Sequence, residues 1–70
     1  MFVCIKRSLK DNTIIESKLV DDFWAKVIKN HGLYGYAKLI NYGENSFSVV
    51  YHDRGYKLTL TREENNHEKS

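Results

Sequence analysis

The chain has little that could cross-link or anchor it. Cys4 is the only cysteine in 70 residues, which excludes an internal disulfide and a zinc site built from cysteines. No apolar run approaches the ~18 residues that span a membrane, and the first ten residues lack the apolar core of a signal peptide. We therefore expect a cytoplasmic protein, outside membranes, that a packed core or self-association stabilises.

Charge of one sign is also scarce. The formal net charge is +2 and the pI is about 8.7, well short of a dedicated nucleic-acid binder. Apolar residues make up 41% of the chain, too many for a disordered protein, and its length suffices for one domain. We predict a single domain over residues 1–62 and a disordered polar tail over residues 63–70, which contain no apolar side chain.

The composition carries one hint about origin. Proline is absent, and 27 of 70 residues are Asn, Lys, Ile, Tyr or Phe, whose codons are AT-rich. Short AT-rich reading frames without a catalytic signature are common among phage and mobile elements. The composition is therefore typical of an accessory factor or an inhibitor.

The first twenty residues predict a strand and a turn. Residues 2–8 contain β-branched and aromatic side chains near their start, which favours a strand. Asp11 and Asn12 then supply turn chemistry, because both tolerate left-handed backbone conformations. Residues 13–16 are ambiguous, since they fit a second strand that pairs with the first and also a capping box at the start of a helix.

Residues 19–30 predict an amphipathic helix. Its apolar stripe would consist of Leu19, Val20, Phe23, Trp24, Val27 and Ile28. Ala25 falls on the opposite, charged side. If the helix starts late, Ser17 is the expected N-cap, and Gly32 is expected to end the helix in a left-handed conformation.

Three short strands are predicted after the helix, near residues 34–41, 46–52 and 56–62. The fold class is therefore α+β, with an N-terminal strand or hairpin, one amphipathic helix and a three-stranded antiparallel meander packed on that helix. A small SH3-like barrel, in which the first strand closes the sheet, is the alternative.

The loop lengths predict the strand register. A two-residue turn at Arg54 and Gly55 would place Tyr51 opposite Leu58, and a three-residue loop over residues 43–45 would place Leu39 opposite Val49. Leu33, Ala37, Leu39, Phe47, Val49, Tyr51, Leu58 and Leu60 would then share the face that the helix covers. A slip of one residue would move every side chain to the other face.

The other face of the meander is rich in tyrosine and is the predicted binding surface. Its candidate partner-binding residues are Tyr34, Tyr36, Lys38, Ile40, Tyr42, Val50, Arg54 and Lys57. Tyrosine gives large contact area at low entropy cost, so we expect an unidentified protein partner there, or a second copy of the chain in a homodimer. The first strand could instead cover this face. A nucleic-acid-binding module that uses the same tyrosines with Lys38, Arg54 and Lys57 is the alternative function.

No residue pattern predicts catalysis. His52 and Asp53 are adjacent, and neighbours along a strand point to opposite faces, so they would not form an acid–base pair. The three histidines lack metal-ligand spacing. Cys4 and Trp24 are expected in the core. We therefore predict a non-enzymatic interaction protein with no catalytic residues, no metal site and no cofactor.

Overall fold

The computed structural model describes residues 1–63 as a five-stranded antiparallel sheet with one α-helix. The strands are β1 (Phe2–Ser8), β2 (Ile14–Val20), β3 (Lys38–Ile40), β4 (Ser46–Tyr51) and β5 (Tyr56–Arg62), and the helix is α1 (Asp22–Leu33). The predicted α+β class is confirmed. Apart from Glu63, the predicted tail lies outside the described residues.

The strand order is β2-β1-β5-β4-β3, so β1 extends the sheet instead of covering one of its faces. In β1, Phe2 lies opposite Arg62 and Ser8 lies opposite Tyr56. The predicted meander needs correction, because β3–β4–β5 is only part of a larger sheet and β3 has three residues. Within residues 1–63, the end strands β2 and β3 do not pair, so the sheet is open and is not a closed barrel.

Residues 13–16 belong to the β1–β2 hairpin and not to a capping box. The Asp11 carboxylate accepts hydrogen bonds from the Thr13 hydroxyl at 2.8 Å and the Thr13 amide at 3.2 Å. Asn12 has the left-handed φ of 63° that the turn requires. The hydrogen bonds from Thr13 hold the pKa of the Asp11 carboxyl below its usual value, because they favour the ionised form.

Both predicted ends of the helix are wrong. Ser17 lies in β2, and the N-cap is Asp21, whose side chain accepts a hydrogen bond from the Trp24 amide at 2.8 Å. Gly32 lies inside α1, where a Cβ atom would sit 2.7 Å from the Cβ of Leu39. Glycine is needed here because the helix crosses β3 so closely. The left-handed residue that follows the helix is Gly35, with φ of 90°.

Small residues form the buried side of α1. Ala25 is 2% exposed, whereas Phe23 and Trp24 are 67% and 55% exposed. Of the predicted stripe, Ile28 is partly buried and packs against the core as predicted, whereas Phe23 and Trp24 are not core residues. The reason is the short distance to the sheet: α1 packs against β3 and β4, and Ala25 and Gly32 allow an approach that bulky side chains would block.

The register of β3 on β4 is confirmed, with Leu39 opposite Val49. The register of β4 on β5 differs from the prediction by two residues, since Tyr51 lies opposite Tyr56 and not Leu58. A 3-10 turn over His52–Arg54 and the left-handed Gly55 lengthen the connection to four residues. A shift of two residues preserves the alternation, so the predicted faces of β4 and β5 are correct.

The core lies between α1 and the middle of the sheet. Its buried residues are Phe2, Cys4, Ala25, Phe47, Val49 and Leu60. The rings of Phe2 and Phe47 meet edge to face, with centroids 6.1 Å apart. We call the opposite side of the sheet, which faces away from α1, the open face.

Candidate interaction surfaces

Three tyrosines of the predicted binding face lie outside the strands. Tyr34 and Tyr36 belong to the connection between α1 and β3, and Tyr42 follows β3. They are 72%, 77% and 61% exposed. Lys29 of α1 donates a hydrogen bond to the Tyr42 hydroxyl at 2.9 Å, so Tyr42 lies on the helix side. The prediction that all three share one strand face is wrong.

Four other predicted residues lie on the predicted strand face, although Val50 is buried there. Lys38 and Lys57 both lie opposite Val50, on either side of β4, and Ile40 is two residues from Lys38 on the same face. Arg7 of β1 lies opposite Lys57 and continues this row. We call Lys38, Lys57 and Arg7 the basic row. Arg7 escaped the sequence analysis because nothing local indicates that β1 pairs with β5.

The open face carries no carboxylate on the strands of residues 1–63. By strand alternation and pairing, its members are Val3, Ile5, Arg7, Ile14, Ser17, Leu19, Lys38, Ile40, Ser46, Ser48, Val50, Lys57, Thr59 and Thr61. Ser48 is buried, and its hydroxyl lies 3.2 Å from that of Thr59. Arg7 donates a hydrogen bond to the Asn12 carbonyl at 3.1 Å. Among the strands of residues 1–63, the basic row therefore has no acidic neighbour on this face, and the nearby carboxylate is that of Asp53, which lines the same groove as Lys38.

A groove of about 830 Å³ brings four predicted residues together at one end of the sheet. We call it the end groove. Its lining includes Tyr36, Lys38, Val50 and Arg54, together with His31 and Tyr51.

His31 and Tyr51 form the wall of the end groove. The His31 Nδ1 atom and the Tyr51 hydroxyl form a hydrogen bond of 2.8 Å, and the His31 ring meets the Tyr36 ring edge to face at 6.1 Å. Burial raises the pKa of Tyr51, with a smaller contribution from Tyr56. The wall is therefore a hydrogen-bonded aromatic surface, whereas Tyr36 projects into solvent.

A second groove, of about 610 Å³, lies on the helix side, where α1 leaves β1 and β2 uncovered. We call it the side groove. Its apolar lining includes Val20, Trp24, Ile28, Tyr56 and Leu58. This groove is not predictable from the sequence when Trp24 is assigned to the core.

Cys4 lies at the floor of the side groove and is buried. Burial raises the pKa of its thiol, and the charge of Lys18 opposes that effect only in part. Because the thiolate is the reactive form, this environment disfavours nucleophilic chemistry at Cys4.

Comparison with protein-family models, curated proteins and solved structures finds no match. The function is therefore inferred from the geometry of the surfaces described above.

Residues 1–63 contain no group of three or more His, Cys, Asp or Glu side chains placed to hold a metal ion. The same residues contain no helix with the length and apolar character needed to cross a bilayer. His52 and Asp53 lie in the 3-10 turn before Gly55.

Proposed function

We propose that this chain is a small non-enzymatic module that binds a partner protein at the end groove. The observation that supports the proposal is Tyr36, a large aromatic residue that is 77% exposed beside a groove containing Lys38 and Arg54. An accessory or inhibitory role in a phage or mobile element is part of the proposal and depends on composition alone.

The chemistry of the end groove suits a protein partner. Tyrosine and arginine are enriched among the residues that carry most of the binding energy at interfaces. A tyrosine that projects from the rim of a concave surface can insert between partner side chains, while the His31–Tyr51 pair forms a wall against which the partner packs. Val50 lines the groove but is only 7% exposed, so it offers little contact area. β1, which might have covered Tyr36, is part of the sheet.

We expect Tyr36→Ala to weaken partner binding by about thirtyfold or more, the loss typical of an interface hot spot. The partner would be captured from a lysate of the source organism with the immobilised chain, purified, and titrated calorimetrically against each variant. Tyr42→Ala is the matched control, because Tyr42 is also exposed but lies against Lys29 on the helix side. If Tyr36→Ala bound as tightly as the Tyr42→Ala control, the end groove would not be the site.

Nucleic-acid binding at the open face is a second candidate function, and the basic row favours it. Lys57 and Arg7 lie opposite each other on adjacent strands, about 5 Å apart in the direction of the strand hydrogen bonds. The described strands place no carboxylate beside them. Such a row can contact consecutive phosphates, with Tyr36 near Lys38 available to stack on a base.

If nucleic acid is the partner, a labelled oligothymidine should bind with a steep salt dependence. Three phosphate contacts predict a slope of about −2 for the logarithm of affinity against that of salt concentration. Lys57→Ala should make this slope less steep by about 0.7, whereas Lys26→Ala, on an exposed part of α1, should leave it unchanged. Affinity that is independent of salt, or equal slopes for both variants, would exclude this candidate.

A further inference from the structure

Within residues 1–63, the sheet has one long free edge. Among these residues, β2 is an end strand of seven residues that pairs only with β1, whereas the strand at the other end, β3, has three residues. All residues of β2 except Val20 are exposed, including the aliphatic side chains Ile14, Ile15 and Leu19 at 55%, 56% and 52%. The unpaired backbone groups of such an edge are a template for another strand.

The charges of β2 are arranged symmetrically about Ser17. Glu16 precedes Ser17 and Lys18 follows it, and these two side chains lie on the helix side with their charged atoms 3.9 Å apart. Ile15 and Leu19 occupy the next positions outward. A second copy of this strand can be placed antiparallel to the first by a twofold axis at Ser17. It then presents Lys18 to Glu16 and Glu16 to Lys18, and its aliphatic residues lie beside Ile15 and Leu19.

We propose that two copies of this chain form a homodimer by antiparallel pairing of their β2 strands, with the twofold axis at Ser17. Glu16 then lies opposite Lys18 of the partner subunit, and the aliphatic side chains of Ile15 and Leu19 lie next to this central group at either end. The two sheets become one ten-stranded sheet, with both copies of α1 on the same side. Cross-strand pairs of opposite charge and of apolar side chains both stabilise such a ladder.

The alternative registers are less favourable. In such a dimer the twofold axis is perpendicular to the sheet. It passes midway between one residue and the same residue of the partner subunit, which lie opposite each other. At Glu16 or Lys18, that residue would be a charge facing an identical charge, which destabilises the sheet. The Ser17 register also overlaps all seven residues of both strands. The bulge in β2 falls at Ile15, because Lys6 lies opposite Glu16 and Arg7 lies opposite Ile14. The central pairs, Ser17 with its own copy and Glu16 with Lys18 of the partner subunit, lie between the bulges of the two subunits and define the register.

Lys18 also argues for a second copy over an unrelated strand. A lysine on an edge strand normally opposes pairing, because an incoming strand must accommodate its charge. A copy of β2 in the Ser17 register supplies Glu16 of the partner subunit at that position. The sequence is thus complementary to itself at the residue that would repel most other strands.

The test reverses the charges and measures mass by sedimentation equilibrium. We expect the wild type to dimerise, and Glu16→Lys and Lys18→Glu each to weaken dimerisation about tenfold or more, because each puts two like pairs across the axis. The double variant Glu16→Lys/Lys18→Glu should restore the dimer. A mixture of the two single variants should form a heterodimer, because one chain then carries only positive charges at these two positions and the other carries only negative ones.

Each result decides the proposal. A wild type that remains monomeric at protein concentrations up to about 1 mM would overturn the proposal. Its dimer dissociation constant would then exceed about 1 mM, which is too weak for a specific interface. A double variant or a mixture that stays monomeric would also overturn it, and so would single variants that dimerise like the wild type. Lys26→Glu, a reversal on α1, is the control and should remain dimeric. Because Tyr36→Ala leaves β2 intact, this variant should have the same oligomeric mass as the wild type. Failure of the end groove as a binding site is therefore distinguishable from failure of the dimer.

Discussion

Leu60→Ala should lower the free energy of unfolding by about 2–5 kcal/mol, the range for truncating a fully buried leucine. Leu60 has no exposed surface and lies in β5, between Cys4 of β1 and Phe47 of β4. Three strands meet at this point, so the cavity cannot close without moving the sheet. A chain of 70 residues has a total stability of roughly 4–10 kcal/mol, and this one substitution removes much of it.

Urea unfolding followed by far-ultraviolet circular dichroism measures this loss. Trp24 is more than half exposed, so its fluorescence is a poor reporter of the core. Leu33→Ala is the matched control, because it makes the same chemical change at a leucine that is 56% exposed, and it should shift the stability by less than about 0.5 kcal/mol. Equal losses for the two variants, at the same protein concentration, would mean that Leu60 is not a central core residue.

The faces of β4 and β5 could be predicted from the sequence because strand periodicity has only two phases. The turn at His52–Arg54 was not foreseen, yet the resulting shift of two residues kept Val49 and Leu60 on the helix side. The shift did change the cross-strand neighbours. A loop that is longer or shorter than predicted by an even number of residues therefore leaves each side chain on its predicted face. The same error changes which residues lie opposite each other on neighbouring strands.

The position of β1 could not be predicted. Residues 2–8 carry a strand signal, but strand propensity does not specify which strand is the neighbour. Arg7 lies beside Lys57 only because β1 pairs with β5, and this pairing adds Arg7 to Lys38 and Lys57 in the basic row. The same pairing leaves β2 as the free edge, so both the basic row and the proposed dimer depend on long-range topology.

The helix shows a different limit. The hydrophobic pattern weighs large apolar residues, so it placed Phe23 and Trp24 in the core and Ala25 in solvent. The structure reverses this arrangement, because β3 and β4 lie close to the helix axis and select small residues. Trp24 instead lines the side groove. The incorrect assignment of Trp24 to the core and the failure to predict the side groove therefore have the same cause.

Gly32→Ala should destabilise the protein, although alanine is the better helix former. In an open helix this substitution raises stability by about 1 kcal/mol. Here the new Cβ atom would lie 2.7 Å from the Cβ of Leu39 and 3.0 Å from its backbone nitrogen. These atoms belong to the body of β3 and cannot rotate away, so the helix or the strand must shift, at a cost of roughly 1–3 kcal/mol. We expect the cost of the shift to exceed the gain in helix propensity.

The sign of the change decides whether α1 is held this closely to β3. Chemical denaturation of Gly32→Ala is compared with that of Lys26→Ala, which introduces the same residue at an exposed position of α1 and should be nearly neutral. A stabilised Gly32→Ala variant would contradict the close crossing. Since β3 carries Lys38 and is joined to Tyr36, a displaced strand should also weaken binding at the end groove. Loss of stability together with loss of binding would therefore indicate that the small residues of α1 position the candidate site.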